Sequence, residues 1–225
     1  MNEEAYRREY EIIRSEIAAT IDSFYIYLEF NKFASEGGAN YDKINRDARV
    51  WTINVYALQT AFFVTLGRIF DKSADSHSLY RLLKTTEQHP EFFTKSALAD
   101  RKTAGRLAPA AVTTFIADAW EPSAGELGCF SAALAPWEKK YQSVYKPIRH
   151  KVFAHRDLTV DPQTLFGEAL ILDIDGLLYS LYDISELLWQ LYHNGIKPGF
   201  GKRTYDYRPR IEAITRRMLY GLWTS

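Results

Sequence analysis

Apolar side chains recur along most of this chain at steps of three and four, the spacing that stacks them on one face of a helix. The first such segment carries Tyr10, Ile13, Ile17, Ile21, Phe24 and Leu28 before Gly37-Gly38 breaks it. The second carries Trp51, Val55, Leu58, Phe62, Leu66 and Ile69. Together they predict two long antiparallel helices joined by a Gly-Gly turn. From about residue 76 to 128 the periodicity is choppier, and Pro90, Pro109 and Pro122 each suit the first turn of a short helix or a break between two. A third long helix is expected over about 131–155, with Leu134, Trp137, Tyr141 and Tyr145 on its stripe and Pro136 and Pro147 as early-turn or kink positions. It should stop near the Asp161-Pro162 breaker. A fourth, opened by Asp173 or Asp175 as N-cap, carries Leu177, Leu181, Ile184, Leu188 and Leu191 as far as His193-Asn194-Gly195, and a last one starts at about Pro209. Period-two alternation is nearly absent, the best strand candidate being 169–172. The expected fold is an all-α helical bundle, a single domain over residues 1–225 with a middle insertion of short helices at about 76–128. No internal repeat and no long linker divides it.

Composition narrows this picture. In 225 residues, 47% hydrophobic and 15% aromatic, there is enough apolar mass for one real core. The single Cys129 leaves no internal disulfide partner and no cysteine-rich metal site, so a cytoplasmic setting is the simplest expectation. The opening MNEEAYRREYEIIRSE lacks the basic-then-apolar order of a secretory signal. Residues 50–67 carry no charge and approach the length of a membrane span, but Thr52, Asn54, Gln59, Thr60 and Thr65 interrupt them, which favours a half-buried helix and no membrane association.

Lys+Arg and Asp+Glu balance at 28 each, yet the charges are unevenly laid out. Between Lys139 and Asp157 stand six basic residues and one acid, and from Asp157 to Ile196 stand seven acids and no Lys or Arg. Either two solvated helix faces pair across the bundle, or the basic stretch faces a phosphate-bearing ligand.

Within the basic stretch runs Ile148-Arg149-His150-Lys151-Val152-Phe153-Ala154-His155-Arg156-Asp157. An arginine followed at once by a polar residue and a few positions later by a histidine, on the closing long helix of a helical bundle, resembles the signature of the HEPN superfamily. Upstream, Leu66-Gly67-Arg68-Ile69-Phe70-Asp71 followed by Ser78-Leu79 is similar to a second block of its AbiU-type abortive-infection branch. The resemblance spans about residues 42–157. It implies metal-independent cleavage of RNA, with no cofactor and no metal, by a homodimer whose partner could be an antitoxin or another defence protein.

The residue types suit that chemistry. Strand scission by the ribose 2′-hydroxyl needs a base for the 2′ proton, an acid for the leaving 5′ oxygen and a cation on the pentacoordinate phosphate. The resemblance assigns the acid/base role to His155, the phosphate clamp to Arg149, and a second polar contact or proton donor to His150. Lys146, Lys151 and Arg156 are candidate RNA contacts, and Arg68, Asp71 and Asp157 possible supporting residues. Arg68 and Asp71, three apart on an apolar helix, suit a partly buried ion pair or a reach toward the cleft. On an α-helix, residues six apart are rotated by roughly 120° and displaced by about 9 Å, so Arg149 and His155 of one chain converge poorly. Two copies meeting about a twofold axis through the motif helix would pool them. Some superfamily toxins carry a tyrosine two residues after the histidine that a partner nucleotidyltransferase modifies. Asp157 stands there instead, where a helix-end carboxylate paired with Arg156 or Lys151 is the plainer role.

Other constellations are poorer. His155-Arg156-Asp157-Leu158 mimics a kinase catalytic loop, but Pro162 replaces the required asparagine. His150 and His155 are five apart, off the spacing of two metal ligands on one helix face. His77 and His89 read as ordinary surface histidines. The loop from Gly199 to Arg208 mixes aromatic and basic residues, a composition that either stacks single-stranded RNA or packs its tyrosines on the bundle. The functional expectation is an endoribonuclease toxin or antiphage effector. The alternative is a non-catalytic module of the same fold that binds RNA or nucleotide, or assembles with another protein of a defence system.

Overall fold

A computed structural model describes residues 2–73, 75–154, 171–201 and 205–221. His155, Arg156 and Asp157 lie outside the described residues, as do Lys202 to Thr204 of the aromatic-basic loop. All regular structure among the described residues is helical.

Helix α1 (Glu3–Ser35) starts where Asn2 Oδ1 accepts from Ala5 N at 2.9 Å, with Glu3 and Glu4 facing the positive end of the helix dipole. Of its expected stripe, Tyr10, Ile13, Ile17, Ile21 and Phe24 are at most 4% exposed and Leu28 is half-buried against the same core, which Tyr6 extends toward the start of the helix. Gly37 and Gly38, at φ 69° and 54°, then turn the chain. The turn does not lead straight into the second long helix, because a short α2 (Gly38–Arg46) intervenes and packs Ile44 on the bundle. Helix α3 (Ala48–Ile69) runs antiparallel to α1, a direction fixed by three contacts in reversed order. Phe30 stacks on Trp51 at 4.7 Å, Phe24 meets Phe62 at 5.2 Å, and Thr20 Oγ1 donates to Thr65 Oγ1 at 2.8 Å.

Short helices α4 (Leu79–Gln88), α5 (Lys95–Ala104), α6 (Pro109–Ala117) and α7 (Ala124–Leu127), with a 3-10 turn at Pro90–Phe93, cover one end of the bundle. Pro90 and Pro109 occupy first-turn positions, where a missing N–H costs nothing. The third long helical run is not uniform. Helix α8 (Cys129–Lys140) passes into a π-helical stretch (Tyr141–Tyr145), a single α turn, α9 (Lys146–Ile148), and a second π-helical stretch (Arg149–Ala154).

Helix α10 (Ile171–Asn194) buries Leu177, Leu181, Ile184, Leu188 and Leu191 in the main core. Asp173 and Asp175 are not its N-cap, since both lie inside the helix. Asp173 is held by Lys140 Nζ at 2.6 Å and Asp175 by the Tyr25 hydroxyl. Residues 171 and 172 of the candidate strand are helical, and the other two lie outside the described residues. The helix ends at Gly195, φ 63°, where a side chain would meet Ala119. Helix α11 (Arg208–Gly221) lies beside α1, tied by Arg216 Nε to the buried Glu29 at 2.7 Å.

Candidate functional site

The motif helix is bound to α3 on both sides of Arg149. Phe153 stacks on Phe63 at 4.9 Å with 22° between the planes, and Tyr141 stacks on Phe70 at 4.6 Å and 11°. These aromatic pairs, together with buried Tyr145 and Ile148, set the height and rotation of the segment that carries the arginine.

The side chain of Arg149 rests on Gly67. A methyl group on Gly67 would fall 2.5 Å from Arg149 Cδ and 2.7 Å from Cζ, and closer still to Nε. Any residue but glycine would therefore displace the guanidinium, and the glycine of the upstream block forms a shelf for the arginine of the downstream block. Tyr141 lies within hydrogen-bonding reach of Arg149, and it also senses the charge of Asp71. Burial pushes the Tyr141 phenol up and Arg149 draws it back down, so Tyr141 stands as a neutral hydroxyl beside the guanidinium. Sequence spacing assigns Tyr141 to the core stripe and gives Gly67 no role. The usable signal was a glycine interrupting a run of bulky helix residues, each such glycine costing about 1 kcal/mol relative to alanine.

The remaining candidates are dispersed around this shelf. Arg149 and Lys151 are half-buried, whereas His150 and Lys146 are exposed. Lys146 Nζ donates to Gln142 Oε1 at 2.9 Å. Arg68 and Asp71 make no ion pair with each other. Arg68, 58% exposed, turns to Glu16 of α1 at 3.1 Å, while Asp71 Oδ1 accepts from Ser73 N at 2.9 Å. Helical geometry explains the split, because Asp71 lies past the last turn of α3 and its carboxylate closes the following bend. Of the opposed charge runs, Lys140 and Asp173 do pair across the bundle.

Elsewhere the candidates settle into local roles. His77 Nδ1 meets Glu9 Oε2 at 2.5 Å, and His89 Nδ1 meets Glu91 Oε1 at 2.6 Å while stacking on Phe92. No group of three potential metal ligands occurs among the described residues. Cys129 is half-buried, with its thiol pushed up by burial and therefore poorly nucleophilic. In the aromatic-basic loop, Phe200 packs edge-on against Phe130 at 5.3 Å and Tyr207 is buried beside Tyr25 and Tyr179, so these rings serve the core.

The bundle thus seats an arginine of its closing long helical run on a glycine of its second long helix, which brings the upstream and downstream blocks to one place. The family model HEPN_AbiU2, described as AbiU2, matches residues 3–210, and the chain belongs to that family. The match extends beyond the two blocks to α1 and α10 and reaches the start of α11. No curated protein and no solved structure matches the chain.

Proposed function

We propose that this AbiU2-family chain is a metal-independent endoribonuclease of the abortive-infection type, acting in the cytoplasm as a homodimer. The observation that supports the reading is the seating of Arg149 on Gly67, which joins the two family blocks into one place and aims a fork of donors suited to phosphate oxygens. Arg149 clamps the scissile phosphate and stabilises the charge that builds on it. His155 moves protons to and from the reacting oxygens, a role its residue type can serve near neutral pH. His150, exposed beside Arg149, supplies a further polar contact, and Lys146, Lys151 and Arg156 neutralise flanking phosphates.

Support for the dimer comes from α3. Val50, Ile53 and Tyr56 are 60%, 61% and 56% exposed, and Tyr56 adjoins Phe153 of the motif helix at 6.1 Å. This apolar band reaches the arginine's helix, where a second copy would cover it and bring a second Arg149 and His155 to the same cleft. The same band favours a second reading, a non-catalytic module that holds RNA or a protein partner such as an antitoxin.

Purified protein incubated with labelled RNA in excess EDTA separates the two. Strand scission lost in Arg149→Ala and in His155→Ala supports the nuclease. RNA binding without scission, unchanged by both substitutions, overturns it in favour of the binding module.

A further inference from the structure

A second cleft lies at the opposite end of α10 from the motif helix. Asp173, which contacts that helix, and His193 are twenty positions apart, or about 30 Å along the axis. The cleft has a volume of about 530 Å³ between the start of α1, the end of α5 and the end of α10, and Arg7, Arg101 and His193 line it. A second hollow of about 430 Å³ adjoins it across Arg101, Gly105 and His193 and adds Lys102. The space is that of a small-ligand site.

The positive groups here are short of acceptors. Lys102, half-buried, donates to Asn194 Oδ1 at 3.2 Å and lies 4.0 Å from the centre of the Phe115 ring, with no carboxylate partner among the described residues. Arg101 is bound to Glu3, Phe92 O and Tyr192 O, yet its Nε is buried with no acceptor. Arg7 is exposed, and its nearest carboxylate, Glu11, stands 3.9 Å away. Capping the negative end of α10 explains why Arg101 is here, through its bond to Tyr192 O. It does not explain Lys102, which meets only a neutral amide and a phenyl face. Glu3 and Glu4 are the acids of the cleft, and Glu3 is already taken by Arg101 and the Tyr192 hydroxyl.

We infer that this cleft binds a phosphate-bearing ligand of mononucleotide size, with Lys102 and Arg7 receiving the phosphate and Arg101, held by its protein acceptors, adding its charge. A dianion there completes the Lys102 ammonium and offsets the mutual repulsion of three cations. His193 reports on the event. Burial and the charges of Arg101 and Lys102 on α5 and of Arg14 and Arg7 on α1 hold its imidazole below the ordinary range, and an anion beside it reverses that push. The inference does not rest on the nuclease reading.

The test is titration of the full chain with AMP, inorganic phosphate and adenosine, followed by calorimetry and by the NMR shifts of the His193 imidazole. Saturable AMP binding that shifts His193, weaker binding of phosphate at the same resonance and none of adenosine supports the site. Lys102→Gln should weaken AMP at least tenfold, and Arg7→Gln, at an exposed position, carries the same test if Lys102→Gln does not fold. Failure of AMP to move His193 overturns the inference. So does equal binding of adenosine, or AMP binding that survives both cleft substitutions but is lost in Arg149→Ala, which would place the phosphate at the motif helix instead.

Discussion

Gly67 occupies a buried interior position of α3 where alanine would be the better helix former by about 1 kcal/mol. Its presence is explained by the side chain resting on it. Gly67→Ala should therefore push the Arg149 side chain off its shelf at a net cost of up to about 1 kcal/mol, because the overlapped atoms end a flexible side chain and alanine's helix propensity offsets part of the strain, measured by urea unfolding. With Arg149→Ala the overlap is gone, and the same substitution should become neutral or mildly stabilising. A coupling of about 1 kcal/mol in that double-mutant cycle is the expected result, and simple additivity would show that the two residues do not share the space. A second prediction at this scale concerns His193, whose folded pKa is depressed. A group with a depressed folded pKa is protonated more readily in the unfolded chain, so stability present in full above the unfolded value of about 6.5 is lost progressively as pH falls below it and through the lower folded pKa. His193→Gln should flatten that part of the unfolding profile, and an unchanged slope would count against burial as the cause. Arg149 was legible as a residue from its motif. Its shelf was not, because Gly67 and Tyr141 acquire meaning only when the chain folds back to bring them to the arginine.

At the scale of elements, α3 has two unlike halves. From Phe62 onward it is buried against α1 and the motif helix, whereas around Val50, Ile53 and Tyr56 it shows apolar side chains to solvent. By length and composition α3 could cross a membrane, but in the bundle it is a half-buried helix laid along α1. A homodimer covering the exposed half predicts that Ile53→Asp lowers the sedimentation-derived mass toward that of one chain and reduces RNA cleavage with it. A monomeric wild type with full activity would contradict that arrangement. Long elements were legible because a stripe repeated over many turns has one consistent period, as in α1. Short-range features were less so. The α2 helix fits its few residues between two breaks, and the carboxylates at Asp173 and Asp175 resemble a cap while serving as ion-pair and hydrogen-bond partners inside α10. The π-helical windings at Tyr141–Tyr145 and Arg149–Ala154 were hidden because the stripe through Trp137, Tyr141 and Tyr145 keeps steps of four and reads as one uniform helix.

For the whole molecule, the zero net charge conceals a division of labour along α10. Its beginning brings acidic Asp173 to the basic motif helix, while its end sits among Arg7, Arg101 and Lys102. A balanced total therefore excludes broad coating of the surface by RNA and leaves room for localised sites. An active site confined to the Arg149 cleft should give cleavage that weakens with salt but less steeply than for a protein contacting many phosphates. Its signature would be a shallow slope of log rate against log salt concentration. A slope implying six or more phosphate contacts would point to a wider binding face.

The central claim is that this chain cleaves RNA through the substrate's own 2′-hydroxyl, without metal, using Arg149 and His155. The most direct measurement is single-turnover cleavage in EDTA of one RNA oligonucleotide and of the same oligonucleotide carrying a 2′-deoxy residue at the cleaved position. The account predicts a 2′,3′-cyclic phosphate end from the first, no scission of the second, and a loss of at least 100-fold on the first in His155→Ala. Scission of the deoxy substrate, or scission that appears only when a divalent metal is restored, would contradict it.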